Sequence, residues 1–145
     1  ITKVLDGDNI RLGVNNNLTF SEEDRMENIR RTAEISKLFV DCGIVTICCL
    51  VSPKRNMRER AKEIIGDENF HEIFIATSVE DCEIRDTKGL YKKARSGEVL
   101  NFTGVSSPYE TPIKPRLKIP TKEKNIEESS EILYKFVSSL INELI

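Results

Sequence analysis

Three apolar, β-branched runs constrain this chain most: Ile1–Leu5, Ile44–Val51 and Glu72–Thr77, with a weaker fourth at Leu117–Pro120. Short runs without polar alternation read as buried parallel strands. Segments of helical periodicity separate them. From Glu22 to Cys42, apolar residues recur at Met26, Ile29, Ala33, Leu38, Phe39 and Cys42, and Gly43 marks the stop. Pro53 opens a second helix with Met57, Ala61, Ile64 and Ile65 on one face and Gly66 behind it. Ile126 to Ile145 carries one stripe of Leu133, Phe136, Val137, Leu140, Ile141 and Leu144. Such alternation predicts an α/β fold, a parallel sheet with helices on both faces, and core packing for that last stripe.

The 145 residues suit one domain, 1–145. Residues Asp86 to Arg116 break the rhythm with many charges and three prolines, and read as a long mobile excursion, a lid in an enzyme. A formal charge of −2 gives no electrostatic reason to expect nucleic acid or an acidic membrane as partner. No apolar run is long enough to span a bilayer, and no signal peptide is visible. Cys48 and Cys49 are adjacent on a strand and point to opposite faces, which is poor geometry for a shared metal. With Cys42 and Cys82 they read as free, mostly buried thiols of a reducing cytosol, with no zinc site.

The chemistry concentrates where the first strand ends, in Asp6-Gly7-Asp8-Asn9-Ile10-Arg11. Open α/β sheets present ligands at the carboxyl ends of their strands. Carboxylates there can hold a metal ion or accept a proton, and an arginine can grip an anion bidentately. Arg25 and Asn28 lie three apart on the following helix, so both can turn toward Asp6 and Asp8. Arg30 and Arg31 point elsewhere, at least one of them as a surface or ion-pair residue. Phe20 either stacks on a purine or packs on the helix start. The only histidine, His71, has no assigned role.

Asp6 to Arg11 resembles the signature of the adenylylsulfate kinases, which phosphorylate the 3′-hydroxyl of adenosine 5′-phosphosulfate with ATP. The likeness continues in order through Phe20–Arg25, Glu27–Arg31, Ser52-Pro53, Lys88–Arg95 and Phe102-Thr103-Gly104. It implies a fold like that of the P-loop nucleoside kinases and ATP, with Mg2+, as co-substrate. It also implies a cytoplasmic protein, or a plastid one, and a homodimer. The residues it places on adenylylsulfate are Arg11, Phe20, Arg25, Asn28, Ser52, Lys88 and Phe102. Asp8 matches a carboxylate near the 3′-hydroxyl, acting as base or orienting group. Asp6 either organises the magnesium hydration shell without direct ligation or caps the following turn. Arg85 and Thr121 match the two sides of an ATP adenine pocket, and Lys93, with Lys92 and Arg95, adds charge to the lid.

The chain departs from the family at Leu12, where histidine is usual, at Thr19 in place of a glycine, and at Ser106-Ser107 in place of an acidic pair. A larger departure is that no Gly-x-x-x-x-Gly-Lys-[Ser/Thr] occurs, the loop that cradles β- and γ-phosphates. The chain also begins at Ile1, inside a strand. The expectation is therefore an N-terminally truncated kinase, inactive as it stands. A non-catalytic nucleotide-binding module and a different small-molecule kinase are the competing readings, and fusion to a sulfate adenylyltransferase leaves no trace in these residues.

Overall fold

In the computed structural model, residues 1–143 are described, so Leu144 and Ile145 of the expected last helix lie outside the described residues. The order of elements is β1 (Thr2–Asp6), α1 (Gly7–Leu12), α2 (Glu22–Asp41), β2 (Val45–Cys49), α3 (Arg55–Ile65), β3 (Ile73–Ala76), α4 (Val79–Arg85), α5 (Leu90–Arg95), β4 (Leu117–Pro120) and α6 (Ile126–Glu143). Both strand pairings are parallel: β1 with β2, Asp6 opposite Cys49, and β3 with β4, Ala76 opposite Pro120. Parallel α/β is thus the observed class.

The chain divides into two compact units. One comprises Ile1–Phe70 and Asn101–Thr111; the other comprises His71–Leu100 and the residues from Pro112 onward. The expected 86–116 excursion is therefore shared between them, and it includes a regular helix, α5. That helix has a cause. The Asp86 carboxylate accepts from Tyr91 N and Lys92 N, each at 3.1 Å, satisfying donors that a helix start leaves orphaned.

In the first unit, α2 packs on β2 and α3. Its N-terminus is capped by Ser21, whose Oγ accepts from Asp24 N at 3.1 Å. Thr19 joins this cap, since its N–H and hydroxyl both donate to Asp24 Oδ2. The buried face of α2 is Asn28, Ile29, Thr32, Ala33 and Ser36, which is more polar than hydrophobic periodicity suggests. The hydroxyls are satisfied within the helix: Thr32 Oγ1 donates to Asn28 O at 2.8 Å and Ser36 Oγ to Thr32 O at 2.7 Å. Leu38, expected on the core face, is 68% exposed. It lies nine residues from Ile29, about half a turn out of phase at 3.6 residues per turn.

Other expectations of burial fail as well. The strand runs are not buried throughout: in β1 only Leu5 is, and Val4 is 52% exposed. In each two-stranded pair every strand has an open edge among the described residues. The cysteines are not mostly buried either, because Cys42, Cys48 and Cys49 are exposed and Cys82 is intermediate. Cys48 nevertheless turns its Sγ to within 3.0 Å of Ser36 Oγ, and burial of that thiol pushes its pKa up. In the second unit α6 packs on β4, but Ile141 of its stripe is exposed. Helix α3 begins at Arg55, two residues after Pro53, and ends at Gly66, whose φ of 99° favours glycine.

Candidate active site

Parallel pairing with Asp6 opposite Cys49 carries the ends of β1 and β2 to the same edge of the sheet, so the residues that follow each strand meet there. Gly7 permits the meeting. A Cβ at this position would lie 3.0 Å from Leu50 Cδ2 and 3.2 Å from Cys49 O, tighter than ordinary packing. The result is a groove in the first unit lined by residues of three stretches: Asp6, Asp8 and Arg11; Phe20, Arg25 and Asn28; and Leu50 to Pro53. Six sequence-predicted residues beyond Asp6 thereby converge: Asp8, Arg11, Phe20, Arg25, Asn28 and Ser52.

Asp6 is engaged as the cap of α1. Its Oδ1 accepts from Asp8 N and Asn9 N, both at 3.1 Å. Of the two roles open to it, capping is the one visible. The arginines are held by main-chain carbonyls. Arg11 Nη1 donates to Thr19 O at 2.9 Å and to Leu18 O at 3.2 Å. Arg25 donates through Nε to Phe20 O at 3.0 Å and through Nη2 to Asn101 O at 2.8 Å. Their guanidinium carbons lie 4.3 Å (Arg11) and 5.5 Å (Arg25) from the centroid of the Phe20 ring. Phe20 is thus a platform shared by two cations while staying 57% exposed. Burial lowers the pKa of both arginines; Asp24 opposes this for Arg11, and the neighbouring Arg11 lowers Arg25 further. Both stay charged at any ordinary pH, so the groove offers an anion two guanidinium groups beside the Asp6 and Asp8 carboxylates.

Arg30 and Arg31 turn away, as expected, and both grip Glu27. Arg30 does so bidentately at 2.7 and 2.8 Å, and Arg31 Nε reaches Glu27 Oε1 at 2.7 Å. These bonds, Arg30's first, pull the Glu27 carboxyl down to about 2.

Two residues the sequence reading overlooked shape the groove. Asn15 is fully buried, and its Nδ2 donates to Asn28 Oδ1 at 2.9 Å. That bond occupies the oxygen of Asn28 and leaves its amide group as the end available for a ligand. The signal was the run Asn15-Asn16-Asn17 just before an amphipathic helix. Arg58 on α3 is 8% exposed, and its Nη1 donates to Ser52 O at 2.7 Å. A charge on the inner face of a helix looks in sequence like any surface arginine.

The remaining predicted residues lie elsewhere. Phe102 belongs to the first unit but is not among the groove-lining residues; its carbonyl closes a turn by accepting from Val105, Ser106 and Ser107 N. Lys88, Lys93, Arg85 and Thr121 belong to the second unit. There Arg85 Nη2 donates to Thr121 O at 2.7 Å, and the Thr121 hydroxyl is bonded to that of Thr77, so these two predicted neighbours do meet. Lys88 and Lys93 are exposed. Arg95 is ion-paired, its Nε 2.7 Å from Glu83 Oε1. Burial, with a hydrogen bond to Cys82, pushes the Tyr91 phenol up to about 12. Among the described residues no cluster of three or more His, Cys, Asp or Glu side chains can cage a metal ion. No helix among them is long and apolar enough to cross a membrane.

Comparison with known proteins identifies the family. The family model described as adenylylsulphate kinase matches residues 1–120. An adenylyl-sulfate kinase of Bacteroides thetaiotaomicron is 55% identical over 137 residues, covering 94% of this chain and 68% of that protein. One from Prochlorococcus marinus is 51% identical over 140 residues, covering 97% of this chain and 68% of that protein. Among solved structures, the Mycobacterium tuberculosis APS kinase CysC in complex with AMPPNP and APS superposes with a TM-score of 0.85 at 40% identity, covering 96% of this chain and 79% of that one. A family model matched over most of the chain, relatives more than half identical and a shared fold leave one conclusion: the chain belongs to the adenylylsulfate kinase family.

Proposed function

We propose that this adenylylsulfate kinase uses the groove at the ends of β1 and β2 to bind adenosine 5′-phosphosulfate and present its 3′-hydroxyl to the γ-phosphate of ATP. The observation that carries the assignment is the convergence of two carboxylates with two carbonyl-held arginines, an exposed phenyl ring and a donor-presenting asparagine in one groove. Arg11 and Arg25 suit the phosphosulfate anion, and Phe20 offers a face to the purine. Asn28 donates from its amide nitrogen, and Ser52 lines the same groove. Asp8 aims the hydroxyl and takes its proton; its larger contribution is position, since phosphoryl transfer depends mainly on alignment and charge. Phe102 as an adenine stacker and Lys88 as a lid contact belong to the same reading, as do Arg85, Thr121 and Lys93 on the ATP side.

Mg2+ would neutralise the β- and γ-phosphate oxygens. Mg2+ in kinases takes one or two carboxylates with water and phosphate oxygens rather than a protein cage. Asp6 fits as one that holds a metal-bound water, with its Oδ1 already oriented by α1. A cytoplasmic homodimer completes the reading.

The phosphate-loop motif does not occur in these 145 residues. A polypeptide of these residues alone is therefore expected to bind adenylylsulfate without turning it over. Two measurements test the function. Calorimetric titration of adenosine 5′-phosphosulfate into these residues should show binding. The same sequence joined to a phosphate-binding loop should form a 3′-phosphorylated product from ATP. Absence of binding in the first measurement would overturn the groove assignment, and robust turnover by the isolated residues would overturn the role given to the loop.

A further inference from the structure

Among the described residues, Ser52 and Asn101 are the non-glycine residues in the left-handed region, with φ of 36° and 56°. Side chains resist this region, and such conformations persist where surrounding structure enforces them. In both cases an arginine holds the carbonyl. Arg25 takes Asn101 O, and Arg58 takes Ser52 O. Arg58 does more than this. Its second amino group, Nη2, donates to Glu110 O at 2.7 Å, and its guanidinium carbon lies 5.8 Å from the Tyr109 ring centroid. Around it, Glu110 N donates to Pro53 O at 2.8 Å, Arg55 N to Glu110 Oε2 at 2.7 Å, and Arg55 Nε to Thr111 O at 3.0 Å. The 101–111 segment is therefore pinned at both ends by arginines, one of which lines the groove and the other of which bonds the groove-lining Ser52.

We propose that Arg58 is a positioning residue for adenylylsulfate. By bridging Ser52 O and Glu110 O it sets the Ser52 wall of the groove and the 101–111 segment as one unit, so that Arg25, already bonded to Asn101 O, meets the anion in a fixed orientation. This rests on the groove being the adenylylsulfate site. The planar fork suits the task because it reaches two carbonyls at once, whereas an ammonium on a flexible stem reaches one.

The test compares wild type, Arg58→Lys and Arg58→Met by calorimetry with adenosine 5′-phosphosulfate and by amide hydrogen exchange without ligand. Arg58→Met should bind at least about tenfold more weakly, with faster exchange in 101–111 and unchanged exchange in the middle of α2, and Arg58→Lys should recover part of both. Exchange rising equally through α2 would mark Arg58 as a general stability residue and overturn the proposal. So would wild-type affinity in a folded Arg58→Met, or no recovery in Arg58→Lys. If wild type itself fails to bind, the function assigned to the groove falls, and the positioning role falls with it; this outcome differs from binding that Arg58→Met leaves unchanged.

Discussion

Each of the two units of this protein is built on its own parallel strand pair, β1 with β2 and β3 with β4, but the units differ in what they bury. The first buries Asn15, Asn28, Thr32, Ser36 and Arg58 beside Leu5, Ile29, Ala33 and Met57. The second buries Ala94 and Ile119, with Thr121 as its buried polar side chain among the described residues. A polar interior is costly unless each group finds a partner, and here the partners are specific: Asn15 to Asn28, Thr32 and Ser36 to their own helix, Arg58 to two carbonyls. What the first unit gains is orientation. An anion site needs donors that point one way before the ligand arrives, and hydrogen bonds provide direction where apolar contacts do not.

The comparison can be broken most forcefully at Asp8. In a protein that includes the phosphate-binding loop, Asp8→Asn should lower kcat by about 10²- to 10⁴-fold, the usual worth of a positioned general base, with a smaller change in the Michaelis constants. Steady-state kinetics with both substrates measure this, and near-normal turnover would remove Asp8 from the mechanism. Arg25→Ala comes next. Arg25 is half-buried, and loss of an arginine that pairs with a bound anion costs about 2 kcal/mol, so adenylylsulfate should bind ~30-fold more weakly while ATP affinity hardly moves. Equal losses for both nucleotides would show that Arg25 does not discriminate between them.

Paired stability mutants sharpen the contrast between the interiors. Asn15→Ala strands the Asn28 oxygen in a buried site and should cost about 1–3 kcal/mol by denaturant unfolding. Thr121→Val in the second unit removes one hydroxyl bond of a near-isosteric side chain and should cost about 1 kcal/mol. The reverse order would contradict the importance given to the polar interior. The smallest effect is expected at Glu27. Its folded pKa, about 2, lies below the ordinary carboxylate value, so its contribution is present above about pH 4.5 and is lost as pH falls toward 2. Thermal melts across that window should decline less steeply in Glu27→Gln than in wild type.

Much of the site was legible because the residues that carry it cluster in two short stretches and obey simple periodicities. Asp6 to Arg11 follows a strand, and Arg25 and Asn28 share a helical face, so each of these two groups could be read locally, whereas Phe20 and Ser52 entered as ligand contacts through the family resemblance. The strand pattern and α2 were readable on the same basis, to within a residue or two at each end. Hydrophobic periodicity misled where the buried face was polar. It ranked Leu38 as core and passed over Thr32 and Ser36, because it weighs side-chain polarity and cannot see a hydroxyl satisfied by its own helix.

Sequence by itself determined the parallel α/β class from its local patterns, and the ordered motifs determined the adenylylsulfate kinase resemblance and, through it, the principal groove residues. Tertiary structure decided the rest. The Arg58 bridge joins residues 52, 58 and 110, and Arg25 reaches Asn101 across 76 positions. No local pattern encodes which carbonyl a guanidinium will find at such separations, because that partner exists only once parallel pairing and helix packing have brought the segments together.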